Sequence, residues 1–174
     1  MADIDKDLHE TVRSIVDELE AVASGSLYRV DGNYVAIDDI DAWKEERYGK
    51  MAEGFRKGHP EDSLDTKAYG SYEEWMEDEI GTADDVDEPD QVSLSKYIDR
   101  QSLGDVRFEV DMSKKLLGGR VLFCYGGPNV WVADDAVRGY WGSSRVEMSL
   151  DPGTRLALFD LFQEQWDMAK GATA

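Results

Sequence analysis

The sequence predicts an α+β fold: an antiparallel sheet of about four strands covered by a C-terminal helix, with a helical acidic N-terminal half. Residues 105–150 alternate apolar and polar side chains at the period of two that strands require. Residues 152–166 instead place apolar side chains at helical spacing, and most acidic residues precede residue 91. The least charged and most β-prone stretch is 120–141, so we expect the other elements to be arranged around it.

The N-terminal part predicts two helices separated by a hairpin. An amphipathic helix is expected over residues 4–23, and β-prone runs on both sides of Asp31-Gly32-Asn33 predict the hairpin. Asp38 or Asp39 then caps a second helix, which Gly58-His59-Pro60 ends. The predicted buried faces are Leu8, Val12, Ile15, Val16, Leu19 and Val22 in the first helix, and Ile40, Trp43, Met51 and Phe55 in the second.

An acidic stretch from Asp62 to Asp90 contains a third, shorter helix. Its start is predicted by the capping-box pattern of Ser71 and Glu74. The turn-rich acidic segment 81–90 then predicts the boundary between a mostly helical acidic region, 1–91, and a β-meander core with its C-terminal helix, 92–174. A single compact domain is the alternative. The third helix itself is predicted to have an apolar side formed by Tyr72, Trp75, Met76 and Ile80.

The second half of the sequence predicts a short helix, a meander and a closing helix. Ser93 is predicted to cap the short helix, and residues 106–110 form the first strand. A turn is predicted at 114–119, followed by VLFCYG as a central strand. Then come a turn at 126–129, VWVA as the third strand, a turn at Asp134-Asp135, and VRGYWG with RVEMSL as the last one or two strands. The closing helix begins at Asp151-Pro152, and its predicted covering face is Leu156, Phe159, Leu161, Phe162 and Trp166.

The charge distribution excludes some classes of partner. The chain has 38 acidic and 19 basic residues, a net charge of −19. Before Gln91 there are 27 acidic and 9 basic residues, whereas from Gln91 onward there are 11 and 10. Such a field repels nucleic acid and anionic membranes and attracts basic surfaces. We therefore expect no direct binding of nucleic acid and no membrane association.

Composition predicts a folded cytoplasmic protein. Five Trp, eight Tyr and five Phe argue against wholesale disorder. No apolar run approaches the roughly 20 residues of a membrane span, and the first residues lack the pattern of a secretory signal. One cysteine excludes an internal disulfide, as suits a reducing compartment.

No catalytic residue, metal site or cofactor is predicted. His9 and His59 have no cysteine or second histidine at zinc-ligand spacing. Cys124 lies in an apolar predicted strand without a nearby base, so we interpret it as a core residue. Gly126-Gly127 is followed by a strand, whereas a phosphate-binding loop needs a helix there, so a turn is predicted.

The functional interpretation of residues 62–90 is charge mimicry. Duplex DNA presents one phosphate charge per roughly 1.7 Å of axis, a density that a helix covered with carboxylates approaches. A solvated helix face with a linker is the common alternative for such a stretch. The predicted partner-binding residues are Glu73, Glu74, Trp75, Glu77, Asp78, Asp84, Asp85, Asp87 and Glu88, with Tyr69, Tyr72, Trp131 and Trp141 as secondary candidates.

One motif carries a resemblance to known proteins. YGGPNVWV at 125–132, followed by GYWG at 139–142 and an acidic-aromatic helix, resembles a group of small acidic proteins encoded by bacterial phages and conjugative elements. The resemblance covers residues 94–166 and leaves out the acidic first half. That group has no assigned activity and no catalytic residues. It implies a genomic setting in which small acidic proteins are often anti-CRISPR or antirestriction factors, and so the cytoplasm of a bacterial host.

These observations lead to one hypothesis and two alternatives. The hypothesis is a non-enzymatic, DNA-mimic-like inhibitor that binds the basic nucleic-acid site of a host nuclease or CRISPR effector. The first alternative is an adaptor that recognises a protein through a patch of Trp131, Tyr140 and Trp141. The second is a metal-dependent hydrolase or nuclease, for which the sequence offers no octahedral ligand spacing.

Overall fold

A computed structural model describes residues 2–64, 68–124 and 128–172 and confirms the predicted α+β fold. The helices within these residues are α1 (Ala2–Ala23), α2 (Ile40–Gly58), α3 (Tyr72–Ile80), α4 (Leu94–Gln101) and α5 (Pro152–Ala172). The strands are β1 (Leu27–Val30), β2 (Asn33–Ala36), β3 (Asp90–Gln91), β4 (Val106–Val110), β5 (Leu116–Cys124), β6 (Asn129–Ala133), β7 (Ala136–Trp141) and β8 (Ser144–Ser149). Across the described residues, no helix is both long and apolar enough to cross a bilayer.

The chain forms two compact units, which are described separately below. One unit comprises residues 1–36 and 91–174, and the other comprises residues 37–90. The prediction divided the chain at residue 91 only, with the first helix in the acidic region. Residues 1–36 instead belong with the sheet, because the apolar side of α1 packs on β7 and β8. Residues 37–90 contain 19 acidic and 6 basic residues, so this unit has a net charge of −13.

The larger unit is built on an antiparallel meander in the order β4-β5-β6-β7-β8. The predicted last one or two strands are two, β7 and β8, so this sheet has five strands. Each strand pairs with the next in sequence, and the register shifts at Glu109/Val110 and Leu122/Cys124. Side chains alternate between two faces, so Val132 and Val137 point to one face while Trp131 and Arg138 point to the other.

Helices α1 and α5 pack side by side on one face of this sheet, with close approaches at two glycines. A Cβ atom at Gly119 would lie 2.5 Å from Cγ of Phe162 in α5. A Cβ atom at Gly139 would lie 2.6 Å from Cγ2 of Val12 in α1. Both distances are below real carbon–carbon contacts, so only glycine permits this helix-to-sheet spacing.

Helix α1 is held by the apolar stripe that the sequence predicted. Its spacing of three and four residues places this stripe on a single side of the helix. The opposite side is polar and exposed, with Asp17 and Arg13 among its residues. The buried residues of the stripe are Leu8, Val12, Val16, Leu19 and Val22, each at most 5% exposed, with Ile15 partly buried beside them.

The predicted hairpin is confirmed as β1 and β2, joined by Asp31 and Gly32. Both turn residues have positive φ, 50° and 87°, as a two-residue type I′ turn requires. Strand β1 lies between β2 and β3 in a second, three-stranded sheet.

Helix α5 begins where predicted but buries a different set of leucines. Asp151 caps its start by accepting hydrogen bonds from the backbone N–H groups of Gly153 and Thr154 at 2.8 and 3.2 Å. Leu158 is fully buried, whereas Leu156, which was predicted to cover the sheet, is 63% exposed. The apolar stripe therefore follows Leu158, Leu161 and Phe162, with Phe159 and Trp166 partly buried at its edges.

Of two predicted turns in the meander, one lies at a different position in the structure and the other falls partly on residues that the structure does not describe. Strand β5 already begins at Leu116, so the turn predicted at 114–119 is wrong in position. The chain turns at 111–115, where the Asp111 carboxylate accepts from the backbone N–H groups of Ser113 and Lys115, both at 2.9 Å. The turn predicted at 126–129 includes residues 126 and 127, which lie outside the described residues.

A buried tyrosine links α4 to α1. Tyr97 is 1% exposed, and its hydroxyl donates to Oε2 of Glu18 at 2.8 Å. Burial, and next the Glu18 carboxylate, raise the pKa of Tyr97 far above its ordinary value of 10.0. The neutral phenol is therefore strongly favoured in the folded protein.

Gly119→Ala and Gly139→Ala should each lower the free energy of unfolding by about 1–3 kcal/mol, because the added methyl overpacks the interface of helix and sheet. Urea unfolding followed by circular dichroism would measure the loss. Gly171→Ala is the control, because a Cβ atom there meets nothing within 4 Å. Wild-type stability in both core variants would contradict the close approach.

Stability should fall as pH rises above about 10, because the unfolded chain then releases the Tyr97 proton that the folded chain retains. Below that pH the contribution of this phenol is fully present. Tyr97→Phe should be less stable near neutrality, by about 1 kcal/mol for the lost hydrogen bond, and should show a shallower alkaline decline. Urea midpoints measured between about pH 8 and 11 test this, and an unchanged decline in Tyr97→Phe would oppose it.

Candidate partner-binding surface

Helix α3 carries the predicted acidic site and begins at the predicted cap. The Ser71 hydroxyl accepts from the backbone N–H of Glu74 at 3.1 Å. The Glu74 carboxylate does not complete a capping box with Ser71, since it accepts from the backbone N–H of Gly70 at 2.8 Å. At the other end Gly81 has φ of 74°, and its N–H donates to the carbonyl of Glu77. These local contacts hold a helix of only nine residues.

The apolar side of α3 packs into an aromatic cluster with the end of α2. The Trp75 ring lies 5.2 Å from that of Phe55 and 5.4 Å from that of His59, both edge-to-face. The Tyr72 ring is buried against Phe55, and its hydroxyl donates to the carbonyl of His59. Tyr69 stacks on Trp75 with ring centroids 6.2 Å apart. The aromatic residues predicted as partner anchors are therefore packed against one another.

The α2 side of this cluster differs from the predicted face. Ala52 and Phe55 are buried and Tyr48 is partly buried, whereas the predicted Met51 is 42% exposed. Tyr48, Ala52 and Phe55 are four and three residues apart, which is the spacing of one helix face. The prediction assigned Met51 to this face in place of its neighbour Ala52.

The opposite side of α3 presents carboxylates to solvent: Glu73, Glu74, Glu77, Asp78 and Glu79 are all exposed. The Asp78 carboxylate accepts from the Tyr69 hydroxyl at 2.9 Å, a contact that leaves its charge in place. Within the ranges 2–64, 68–124 and 128–172, none of these five carboxylates forms an ion pair.

The helix dipole favours Glu73 and Glu74 in the first turn, but the other charges of α3 work against the helix. The last turn contains no basic residue, although a helix C-terminus favours cations by about 0.3–1 kcal/mol each. Glu73 and Glu77, and likewise Glu74 and Asp78, are four residues apart and repel each other. The aromatic cluster on the other side offsets this cost.

Of the acidic residues after α3, some form hydrogen bonds or ion pairs and others are only exposed to solvent. Asp85 accepts from both the N–H and the hydroxyl of Thr82 at 2.8 Å, and the hydroxyl contact is the main cause that lowers the Asp85 pKa. Glu88 pairs with Lys44 at 2.9 Å, and this hydrogen bond raises the pKa of Lys44. Asp84 and Asp87 are exposed.

The aromatic adaptor patch does not form as a single surface. Tyr140 and Trp141 are neighbours in β7, so they point to opposite faces of the sheet. Trp141 packs partly against the core under α1 and α5. Trp131 lies on the other face, with the guanidinium carbons of Arg107 and Arg120 at 4.7 and 5.2 Å from its ring centroid.

The residues considered for metal or nucleophilic chemistry are not brought together. Among the described residues, no group of three or more His, Cys, Asp or Glu side chains is arranged to hold a metal ion. His59 belongs to the aromatic cluster and His9 is exposed on α1. Cys124 is half-buried beside the core, and burial raises its pKa, which disfavours a nucleophilic thiolate.

Comparison with known proteins gave no match to a family model, a curated protein or a solved structure. The resemblance to acidic proteins of phages and conjugative elements therefore stays a prediction.

One feature that the sequence reasoning missed is a set of arginines on the face of the large sheet opposite α1 and α5. They come from four strands, and Trp131 and Tyr140 lie among them. Alternation within each predicted strand contained this signal, but strand register was needed to bring the residues together. The arginines are Arg107, Arg120, Arg138 and Arg145.

Trp75→Ala should destabilise residues 37–90 by about 2–4 kcal/mol, because it removes the ring that contacts Phe55, His59, Tyr69 and Tyr72. Hydrogen exchange at the amides of α3 would report this loss. Glu79→Ala removes only an exposed side chain and is the control. Unchanged protection in Trp75→Ala would mean that its ring is available to a partner.

Proposed function

We propose that this chain is a non-enzymatic inhibitor of a nucleic-acid-binding host defence enzyme, of the anti-CRISPR or antirestriction type, acting in the bacterial cytoplasm. Its acidic side of α3, with Asp84 and Asp87, occupies a basic site that normally receives nucleic acid. The partner is a host nuclease or CRISPR effector. The interaction requires no cofactor and no catalytic residue of this chain.

The observation that carries this proposal is the uncompensated charge on α3. Five carboxylates lie in seven residues without an ion pair in the described ranges, and three of them lie where the helix dipole opposes them. A solvated surface that served stability alone would place cations in the last turn. A cationic partner would relieve both the dipole conflict and the mutual repulsion.

The spacing of these charges supports DNA mimicry. Residues 73–79 span about 9 Å of helix axis at roughly 1.5 Å per residue. Five charges over that length approach the density of duplex DNA, one charge per roughly 1.7 Å. Since Tyr72 and Trp75 are committed to the aromatic cluster, the attraction is mainly electrostatic. Capture should therefore be fast and should weaken as salt rises.

The first experiment identifies the partner from its response to salt and DNA. Tagged protein is incubated with bacterial lysate at low salt, and bound proteins are eluted by stepwise increases in salt or by added duplex DNA. The proposal expects a nucleic-acid-binding enzyme that both treatments release. Capture only of proteins that resist salt and ignore DNA would contradict charge mimicry.

Charge reversal on α3 should then abolish inhibition of that enzyme. The best variant is Glu73, Glu77 and Glu79 to Lys, because these three side chains are exposed and make no hydrogen bond or ion pair with other described residues. Glu74 and Asp78 are left intact since they bond to Gly70 and Tyr69. Inhibition is measured as loss of DNA binding by the captured enzyme.

The matched control makes the same change of charge on the other unit. Asp99, Asp160 and Glu164 are exposed on α4 and α5, and the described structure gives them no hydrogen bond or ion pair. Their reversal to Lys should leave most of the inhibition. Equal loss in both variants would mean that net charge, and not the α3 surface, drives the effect. Full inhibition by the α3 variant would overturn the proposal.

A further inference from the structure

The face of the large sheet opposite α1 and α5 contains a cleft lined by three arginines and three carboxylates. The cleft has a volume of about 420 Å³, within the range of roughly 300–1,000 Å³ typical of small-molecule sites. Its lining includes the small residues Gly118, Gly119 and Ala133. Its walls include Arg120, Arg138, Arg145 and Tyr140.

Two of these arginines are fixed by carboxylates. Arg138 donates to both oxygens of Asp135 at 2.9 and 2.7 Å, and Glu147 lies 3.4 Å from its Nε. Arg145 donates to Glu147 at 2.6 Å. Guanidinium groups held in this way have a defined orientation before any ligand arrives, which lowers the entropic cost of binding.

Arg120 differs from these two. Its guanidinium is exposed and lies 5.2 Å from the centroid of the Trp131 ring. No carboxylate pairs with it among residues 2–64, 68–124 and 128–172. A guanidinium without a carboxylate is free to bind phosphate or carboxylate in a bidentate manner. Arg120 therefore supplies the anion-binding group of the cleft.

The cleft also offers acceptors and an aromatic ring. Asp134 is held in place because its Oδ1 accepts from the backbone N–H of Gly119 at 3.2 Å, and the exposed Glu109 lies on β4, where it pairs with Gly118. Carboxylates at these positions accept hydrogen bonds from hydroxyl or amino groups. The half-buried Tyr140 ring also lines the cleft, and the guanidinium carbon of Arg145 lies 5.7 Å from its centroid. This ring and guanidinium pair offers planar groups beside which a flat base packs. The lining thus suits a ligand with an anion, hydrogen-bond donors and a planar ring.

The negative net charge of the protein limits how many phosphates a ligand of this cleft can carry. Charges separated by more than about 8 Å are largely screened at physiological salt, so a ligand with a single phosphate responds mainly to the charges next to it. In the lining these are three arginines and three carboxylates, and Arg120 is the arginine that no carboxylate pairs with among the described residues. A long polyanion would extend beyond these charges and meet the field of a chain with net charge −19. A short ligand is therefore favoured over a nucleic acid.

From this geometry we propose that the cleft on the open face of the five-stranded sheet binds a mononucleotide, with its phosphate on Arg120 and its base beside Tyr140. Ribose hydroxyls donate to Asp134 or Glu109. This site lies in the unit formed by 1–36 and 91–174 and does not depend on the inhibitory role proposed for α3.

The test is isothermal titration of the full chain with AMP in about 0.15 M salt, alongside adenosine, inorganic phosphate and an adenine octanucleotide. We expect saturable AMP binding. Adenosine and inorganic phosphate should each bind at least about tenfold more weakly, because adenosine lacks the phosphate and inorganic phosphate lacks the base and ribose. The octanucleotide should bind no more tightly than AMP. Tighter binding of the octanucleotide would overturn the mononucleotide assignment in favour of a single-stranded nucleic-acid surface.

Arg120→Gln should weaken AMP binding by about tenfold or more, since it removes the charged hydrogen bonds to phosphate. Arg120 is exposed, so circular dichroism should show an unchanged fold. Arg100→Gln is the matched control, because this exposed arginine lies on α4, away from the cleft. Equal losses in the two variants, wild-type affinity in Arg120→Gln, or no saturation by AMP at millimolar concentration would each refute the site.

Discussion

The architecture of the larger unit depends on close packing of two helices against one face of a single sheet. Gly119 and Gly139 remove the Cβ atoms that would otherwise collide with Phe162, Val12 and Leu8. Because α1 and α5 approach so closely, they contact each other and close one continuous apolar core. The opposite face of the sheet is left to long polar side chains. Placement of the arginine-lined cleft is therefore a consequence of where these two helices pack.

The smaller unit, residues 37–90, balances two opposing terms. Repulsion among the α3 carboxylates, and the conflict of Glu77, Asp78 and Glu79 with the helix dipole, oppose folding of this segment. Packing of Phe55, Tyr72 and Trp75 favours it. The rings are drawn inward because burial of aromatic surface is the largest favourable contribution available to so short a segment. The exposed side is left with charge alone, which explains why electrostatics dominates the proposed interaction.

The two units thus present surfaces of different character. The exposed side of α3 carries only carboxylates, for which we propose a cationic partner, whereas the sheet cleft combines arginines with carboxylates, for which we propose a small anionic ligand. Screening at physiological salt allows both kinds of site in one chain, because each ligand senses charges within about 8 Å. A net charge of −19 therefore describes the long-range field of the protein without describing every local site.

The sequence by itself determined the α+β class, most element boundaries, the caps at Ser71, Ser93 and Asp151, and the acidic character of α3, because these follow from signals a few residues apart. For α2 it left Asp38 and Asp39 as alternative caps, and the structure shows Asp39. Tertiary structure alone decided that α1 belongs with the sheet, that the Trp75 ring packs against Phe55 of α2, and that Trp141 faces the helices while Tyr140 lines the cleft. It also brought Arg120 and Arg138 to one face, although they lie on different strands. Such arrangements depend on strand register and helix packing between residues far apart in the chain, which local periodicity does not encode.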